Sequence, residues 1–201
     1  MWWAALLNSL LGTLSSGVAA STSSYESIQT LNPTTGSSSI TFNSIPSTYK
    51  DLQIRFTFKD QSTIDYNSTT AYIYYRLNSD SGTNYANHYL IGNGSSASAG
   101  GVTSANGIRV YGSYMSNGGS FSDMRSVGII DISDYASTTK NKTTRHFSAS
   151  DANGAGTATN RVVALSSGLW LNTNAITSIT LYPYDIGFQS AEFALYGIKG
   201  A

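Results

Sequence analysis

The side chains able to do acid–base or nucleophilic work are few: two histidines, eleven carboxylates and no cysteine. His88 sits in Tyr85-Ala86-Asn87-His88-Tyr89 and His146 in Thr144-Arg145-His146-Phe147. Both segments read as strands, and no G-x-S-x-G elbow lies near either. A triad would require one of them to meet a serine and a carboxylate across the sheet. A strand histidine satisfied by a hydrogen bond is the simpler reading. Zinc needs three or four ligands with at least one close pair, and the sequence offers none at that spacing.

Asp123, Asp131, Asp134, Asp151, Asp185 and Glu192 leave a carboxylate pair for glycoside hydrolysis arithmetically open. Polar turn positions account for most of them. Asn78-Ser79-Asp80-Ser81-Gly82 and Asp151-Ala152-Asn153-Gly154 have the composition of calcium ligand loops but lack the terminal glutamate. The same residues are ordinary material for tight turns. Gly100-Gly101 and Gly118-Gly119 lack the Lys-Thr or helix that would follow a phosphate loop. The expectation is no catalytic residue, no metal and no cofactor.

Positive and negative residues balance at 11 each, and charged residues make up only 11% of the chain, against about 25% in ordinary globular proteins. A neutral surface of this kind attracts phosphate backbones weakly, so nucleic acid is not an expected partner. Polarity comes from Ser, Thr, Asn and Gly. With 14 tyrosines, the mixture suits surfaces that bind through hydrogen bonds and flat rings, and equally suits strands and turns. The absence of cysteine excludes a disulfide scaffold, and 201 residues suffice to bury a core without one.

Residues 1–20 differ from the rest. Trp3, Leu7, Leu10 and Leu14 recur at helical spacing, with Val18 continuing the face and Asn8, Ser9, Thr13 and Ser16 mostly opposite. Gly12 and Gly17 each weaken a helix by about 1 kcal/mol relative to Ala. A signal peptide would carry Lys or Arg before the apolar run, and none is present. A membrane span needs about 20 predominantly apolar residues, and this run is interrupted by Asn8, Ser9, Thr13, Ser15 and Ser16. The favoured reading is an amphipathic assembly helix, packing on copies of itself or on a neighbouring protein, with packing on its own domain as a further alternative; a short linker, 21–24, follows.

Residues 25–201 read as an all-β domain, an antiparallel β-sandwich or jelly roll. Strands are expected at Tyr25–Leu31, Ser38–Phe42, Lys50–Lys59, Thr70–Leu77, Tyr85–Ile91, Gly107–Tyr111, Met124–Ile132, Thr144–Ser150, Arg161–Leu171, Ala175–Tyr182 and Glu192–Ile198. The clearest is Lys50–Lys59, where Leu52, Ile54, Phe56 and Phe58 alternate with Gln53, Arg55, Thr57 and Lys59. Gly92–Asn106, Gly112–Ser120 and Asp151–Asn160, rich in Gly, Ser and Asn, are expected loops.

Several stretches also carry a family resemblance. Tyr25-Glu26-Ser27-Ile28 and Ser39-Ile40-Thr41-Phe42-Asn43-Ser44-Ile45-Pro46-Ser47-Thr48-Tyr49-Lys50-Asp51-Leu52-Gln53-Ile54-Arg55 resemble the opening of small virion structural proteins of tailed phages from aquatic bacteria, a tail-fibre-like β-sandwich family. Asp131-Ile132-Ser133-Asp134-Tyr135 with its continuation to Thr143 is similar to their central motif. Ser167-Gly168-Leu169-Trp170-Leu171-Asn172 and Phe193-Ala194-Leu195-Tyr196-Gly197-Ile198-Lys199 are similar to their closing motifs. The match covers residues 25–199 in the family's order, while residues 1–20 depart from its usual start.

The resemblance implies a non-enzymatic virion protein located in the particle, with no catalytic residues to carry over. The expected partners are copies of itself in a homotrimer, other tail or capsid proteins, and a host-surface polysaccharide. The helix bearing Trp3, Leu7, Leu10, Leu14 and Val18 would tether it, and Tyr111, Tyr114, Phe121, Tyr182 and Tyr184 would offer loop contacts. Tail or tail-fibre placement leads; capsid decoration is the alternative, and a free carbohydrate-binding or glycan-hydrolysing domain a third.

Overall fold

The computed structural model describes residues 23–60, 72–112, 125–151, 162–184 and 187–200. The helix expected over residues 1–20, with Trp3, Leu7, Leu10, Leu14 and Val18, lies outside the described residues, as do Tyr114 and Phe121. Among the described residues the structure is all-β, in two antiparallel sheets that face one another. The larger sheet has the spatial order β1 (Tyr25–Leu31), β12 (Phe188–Ile198), β3 (Asp51–Asp60), β8 (Arg125–Ile132), β9 (Lys142–Asp151), β10 (Val162–Trp170), β5 (Tyr85–Gly92), β6 (Ala97–Ala105). The smaller runs β2 (Ile40–Phe42), β11 (Ile179–Pro183), β4 (Ile73–Leu77), β7 (Ile108–Val110). The chain crosses between sheets at most connections and stays in one only along β5–β6 and β8–β9–β10.

The interior is built from period-two strands. Leu52, Ile54, Phe56 and Phe58 of β3 turn inward as their alternation requires. They meet Phe188 and Phe193 of β12, with the Phe56–Phe193 and Phe188–Phe193 ring centroids 6.0 and 5.4 Å apart. From the facing sheet Ile73, Tyr75, Leu77, Ile179 and Leu181 complete this core. Trp170 is buried at the end of β10, while Leu171 beside it is exposed.

In the middle of the large sheet the usual assignment of faces is reversed. The inward side chains of β9 are Lys142, Thr144, His146, Ser148 and Ser150, and β10 turns Ala164, Ser166 and Gly168 inward. Its outward side chains include Phe147, Val163 and Leu165, joined by Val127 of β8 and Leu90 of β5; these five are between 46% and 55% exposed. Water faces the hydrocarbon and the interior holds hydroxyls.

Several strand boundaries shift by one to three residues from the sequence reading, and three differences are larger. Gly92–Asn106, expected as a loop, contains β6. Ala, Ser and Gly give that stretch no alternation to read, and it is a strand because its backbone pairs with β5. Gly100 and Gly101 leave room there: a Cβ on either would meet the ring of Tyr89 or His88 across the ladder, and that ring would have to move. The strand expected from Ala175 begins only at Ile179. The preceding backbone is engaged elsewhere: Ile176 N–H donates to the Tyr135 carbonyl at 2.9 Å, and Asn78 Oδ1 accepts from Thr177 N–H at 2.8 Å. The last strand starts at Phe188 rather than Glu192, passing a bulge between Phe188 and Ser190.

Candidate functional site

Residues 39–55, 131–143, 167–172 and 193–199 converge at one end of the sandwich, and packing accounts for them. The Tyr135 hydroxyl donates to the Pro46 carbonyl and accepts from Tyr49 N–H at 3.3 Å. Tyr49 in turn lies flat on Gly197, where a Cβ would fall inside its ring. Asp134 accepts from the ammonium groups of Lys50 and Lys140, which hold its carboxyl at about 2, well below the usual range. It is therefore an anchored anion and not a proton donor near neutrality.

Lys142 is buried, and its ammonium donates to the carbonyls of Ser137, Lys140 and Thr173 at 2.7–3.0 Å. Burial lowers its pKa. Lys142→Met keeps the stem but orphans these carbonyls, so a urea titration should read a loss of about 1–3 kcal/mol.

His146 and His88 have different settings, neither with the geometry of a triad. His146 is fully buried, its Nε2 2.7 Å from the Tyr75 hydroxyl and 2.9 Å from that of Thr144, its Nδ1 3.0 Å from that of Ser166. Burial pushes its pKa down to about 3, so the ring is neutral, and Ser166 beside it is buried as well. His88 is exposed and stands opposite Ser167. The nearest aspartate in that row, Asp131, lies three strands away, roughly 14 Å, and is paired with Arg145 at 2.8 Å.

The loop at Asn78–Gly82, with the composition of a calcium loop, closes on itself. Asp80 accepts from Trp170 Nε1 at 2.7 Å, Asn84 Nδ2 at 2.9 Å and Gly82 N–H at 2.8 Å, and the first two of these do most to lower its pKa. Among the described residues no three histidine or carboxylate side chains gather as metal ligands, and no helix is long and apolar enough to cross a membrane.

Two surfaces remain as candidates for contact. The first is the outer face of the four-stranded sheet. Register places Tyr182 of β11, Tyr74 of β4 and Arg109 of β7 in one row. Tyr74 stacks on Tyr182 with centroids 5.7 Å apart and leans on Tyr184 at 6.1 Å. Arg76 lies over the Tyr182 ring at 4.9 Å, held by its Nε–H donating to the Asn106 carbonyl at 2.8 Å. Burial and neighbouring phenols push Tyr74 up to about 12, and burial also raises Tyr182 against the opposing Arg76. The phenols are therefore neutral donors, and the patch offers stacked rings beside guanidinium groups.

Tyr182 and Tyr184, expected as contacts, do belong to this patch, and Tyr184 is 57% exposed. Tyr111, also expected at a contact loop, is instead buried at 3% exposure. Its ring stacks on Tyr89 at 4.1 Å, with Arg109 over it at 4.6 Å, which removes it from the surface. Tyr74 is a member of this patch that the sequence reading misses, although the alternation of Ile73, Tyr75 and Leu77 already turns Tyr74 and Arg76 outward.

The second surface is the outer face of the large sheet. A groove of about 500 Å³ runs over β12, β3, β8 and β9, walled by Phe147, Ile129, Val127, Arg55 and Tyr196, with Gly128 in its floor. The Arg55 guanidinium lies between the rings of Tyr25 and Tyr196, at 5.4 and 5.1 Å.

No protein-family model matches the chain, and no curated protein does. Among solved structures it is similar to an exo-inulinase from Aspergillus awamori, at 12% identity over 88% of this chain and 29% of that one, with a TM-score of 0.32. It is also similar to a fructofuranosidase from Schwanniomyces occidentalis, at 10% identity over 90% and 35% of the two chains, with a TM-score of 0.27. The chain thus spans about a third of the length of these solved chains, and likeness of this grade assigns neither fold nor activity.

Proposed function

We propose that the protein is a non-enzymatic structural component of a phage particle, tail or tail-fibre associated and built from identical copies. Its tyrosine–arginine face would meet a host-surface polysaccharide. The observation that carries this reading is the reversed middle of the large sheet. Exposed apolar patches of this kind on a soluble domain mark contact surfaces, and Val127, Phe147, Val163, Leu165 and Leu90 lie side by side there. The strand order supports the finer reading of a jelly roll. β2-β11-β4-β7 faces a sheet whose order is β1-β12-β3-β10 once the β8–β9 pair between β3 and β10 and the β5–β6 pair beyond β10 are set aside, and jelly rolls recur in capsid and lectin domains. The resemblance of residues 25–199 to tailed-phage virion proteins supplies the particle; the fold alone would not.

Two measurements test it. Sedimentation of the purified full chain should give an oligomer, with a trimer expected, and a monomer at every concentration would sink the reading. Replacing Tyr182 and Tyr184 together by Ala should leave the fold intact and weaken binding to host polysaccharide by roughly tenfold or more, because an aromatic contact is worth on the order of 1 kcal/mol. Unchanged binding would remove the patch from consideration. Copy number in the particle separates tail placement from capsid decoration.

A further inference from the structure

We infer that two copies of this chain join edge to edge through β6, antiparallel and with Ala99 opposite Ala99 on a two-fold axis, so that the two large sheets become one. The contact requires only a second copy and goes beyond the proposed function. Alone it gives dimers; added to the expected trimer it gives hexamers, an even number of copies in both cases.

A strand at the margin of a sheet presents unpaired N–H and C=O groups that template pairing with another chain, and native sheets blunt such edges. Of the four sheet edges among the described residues, three are blunted. β2 and β7 have three residues each. β1 is bulged between Ser27 and Gln29, and its Glu26 is paired with Lys199 at 3.1 Å. β6 is different. It runs for nine residues with no charge and no proline, and seven of them are exposed. From Ala97 to Val102 it pairs with β5 without interruption, and the irregularity comes only later, where Ser104 has a φ of 57°. Among the described residues only β5 hydrogen-bonds to the backbone of that stretch.

The register fixes which groups face the open edge. At the turn into β6 the Asn93 N–H donates to the Ser96 carbonyl at 3.1 Å, and bonded pairs alternate along an antiparallel ladder. Ile91–Ser98, Tyr89–Gly100 and Asn87–Val102 are therefore the bonded pairs with β5. Ala97, Ala99 and Gly101 turn their N–H and C=O groups the other way. A second β6 running in the opposite direction matches all three: Ala97 meets Gly101, Ala99 meets Ala99, Gly101 meets Ala97, and each pair exchanges two bonds.

Three observations favour a second copy as the strand that lies there. Neither β5 nor β6 carries Asp, Glu, Lys or Arg, so two identical edges approach without like charges meeting. Ala99 stands in the same outward row as Leu90, Leu165 and Phe147, and the two-fold axis joins that exposed apolar row to its own continuation in the second copy. On the opposite side the Tyr89 ring lies over β6, its hydroxyl 2.6 Å from where a Cβ on Gly100 would be. Gly100 faces Ser98 of the second copy, and residues directly opposite have Cβ atoms about 5 Å apart. Neither the Tyr89 nor the Ser98 hydroxyl is hydrogen-bonded among the described residues, and the pairing brings them together twice. An edge strip is narrower than a standard interface, so the association is weak and depends on concentration.

The chain has no cysteine, so an introduced thiol reports on one position. The full chain carrying Ala99→Cys should oxidise to a covalent dimer, because opposed residues of a bonded pair have Cα atoms about 5.5 Å apart, within disulfide reach. Ala97→Cys, equally exposed, puts its two thiols four residues out of register, roughly 14 Å apart, and should link at least tenfold more slowly. Ala99→Lys sets two ammonium groups against each other, and Ala99→Pro removes an N–H that β5 does not use. Each should keep its β-sheet circular dichroism and raise the concentration at which the pair dissociates at least tenfold in sedimentation equilibrium. Equal linking by the two cysteine variants, or unchanged association of both folded variants at Ala99, overturns the pairing. So does a full chain that forms trimers and no even-numbered species, a result that leaves the proposed function standing. Dimers that Ala99→Lys divides, in a chain that joins no particle, uphold the pairing and remove that function instead. A chain that stays monomeric and unlinked overturns both.

Discussion

Trp170→Ala should cost about 3–5 kcal/mol, the upper range for truncating a buried side chain. The indole is 1% exposed at the end of β10, stacked on Tyr85 with centroids 6.3 Å apart and planes 14° from parallel. Truncation leaves a cavity beneath two sheets that cannot collapse, because Tyr85 is itself fixed by accepting Leu77 N–H at 3.1 Å and donating to the Asp80 carbonyl at 3.0 Å. It also strips Asp80 of the indole N–H at 2.7 Å. Trp170→Phe separates the two contributions: the ring survives and the donor goes, so roughly 1–2 kcal/mol should be lost. Urea unfolding followed by tyrosine fluorescence or circular dichroism reads both. A loss under about 1 kcal/mol for the alanine variant would mean that this end of the sandwich is not the packed unit described.

The second large effect is acid destabilisation through His146. Its folded pKa, about 3, lies below the ordinary 6.5 because burial penalises the imidazolium. Below pH 6.5 the unfolded chain binds a proton that the folded chain refuses. Stability is therefore fully present above pH 6.5 and falls as pH drops toward the folded value, by about 1.4 kcal/mol per unit. From pH 6.5 to 4.5, before most carboxylates titrate, the loss should be roughly 2 kcal/mol. His146→Gln removes the titration, so its stability should be lower at pH 7 but flatter through the same window. Equal slopes for the two proteins would show that the ring is reached by water and protonated in the folded state.

The sequence is most readable where hydrophobicity and burial coincide. Leu52, Ile54, Phe56 and Phe58 announce β3, and the structure buries all four. It is least readable where they part. β9 and β10 alternate cleanly in burial, yet Thr144, His146, Ser148, Ser150 and Ser166 take inner positions while Phe147 and Leu165 take outer ones. A pattern rule finds such strands but turns them the wrong way round, because it assumes water on the polar face. β6 has no pattern at all and exists through backbone pairing with β5. The candidate contacts divide on similar lines: Tyr184 is exposed and Tyr182 half-buried, while Tyr111 is covered by Arg109 and by Tyr89, a partner on another strand that spacing along the chain does not reveal.

The hydroxyl-lined interior behind Thr144, Ser148 and Ser166 bears on temperature as well as on assembly. Heat capacity on unfolding rises with newly wetted hydrocarbon and falls with newly wetted polar groups. A lone subunit keeps Phe147, Leu165 and Leu90 wet in both states, so its stability should vary gently from cold to warm. In the proposed oligomer, covering those side chains would transfer the missing hydrocarbon term to the assembly step, and calorimetry should then find the sharper temperature dependence in association, not in the folding of a single copy.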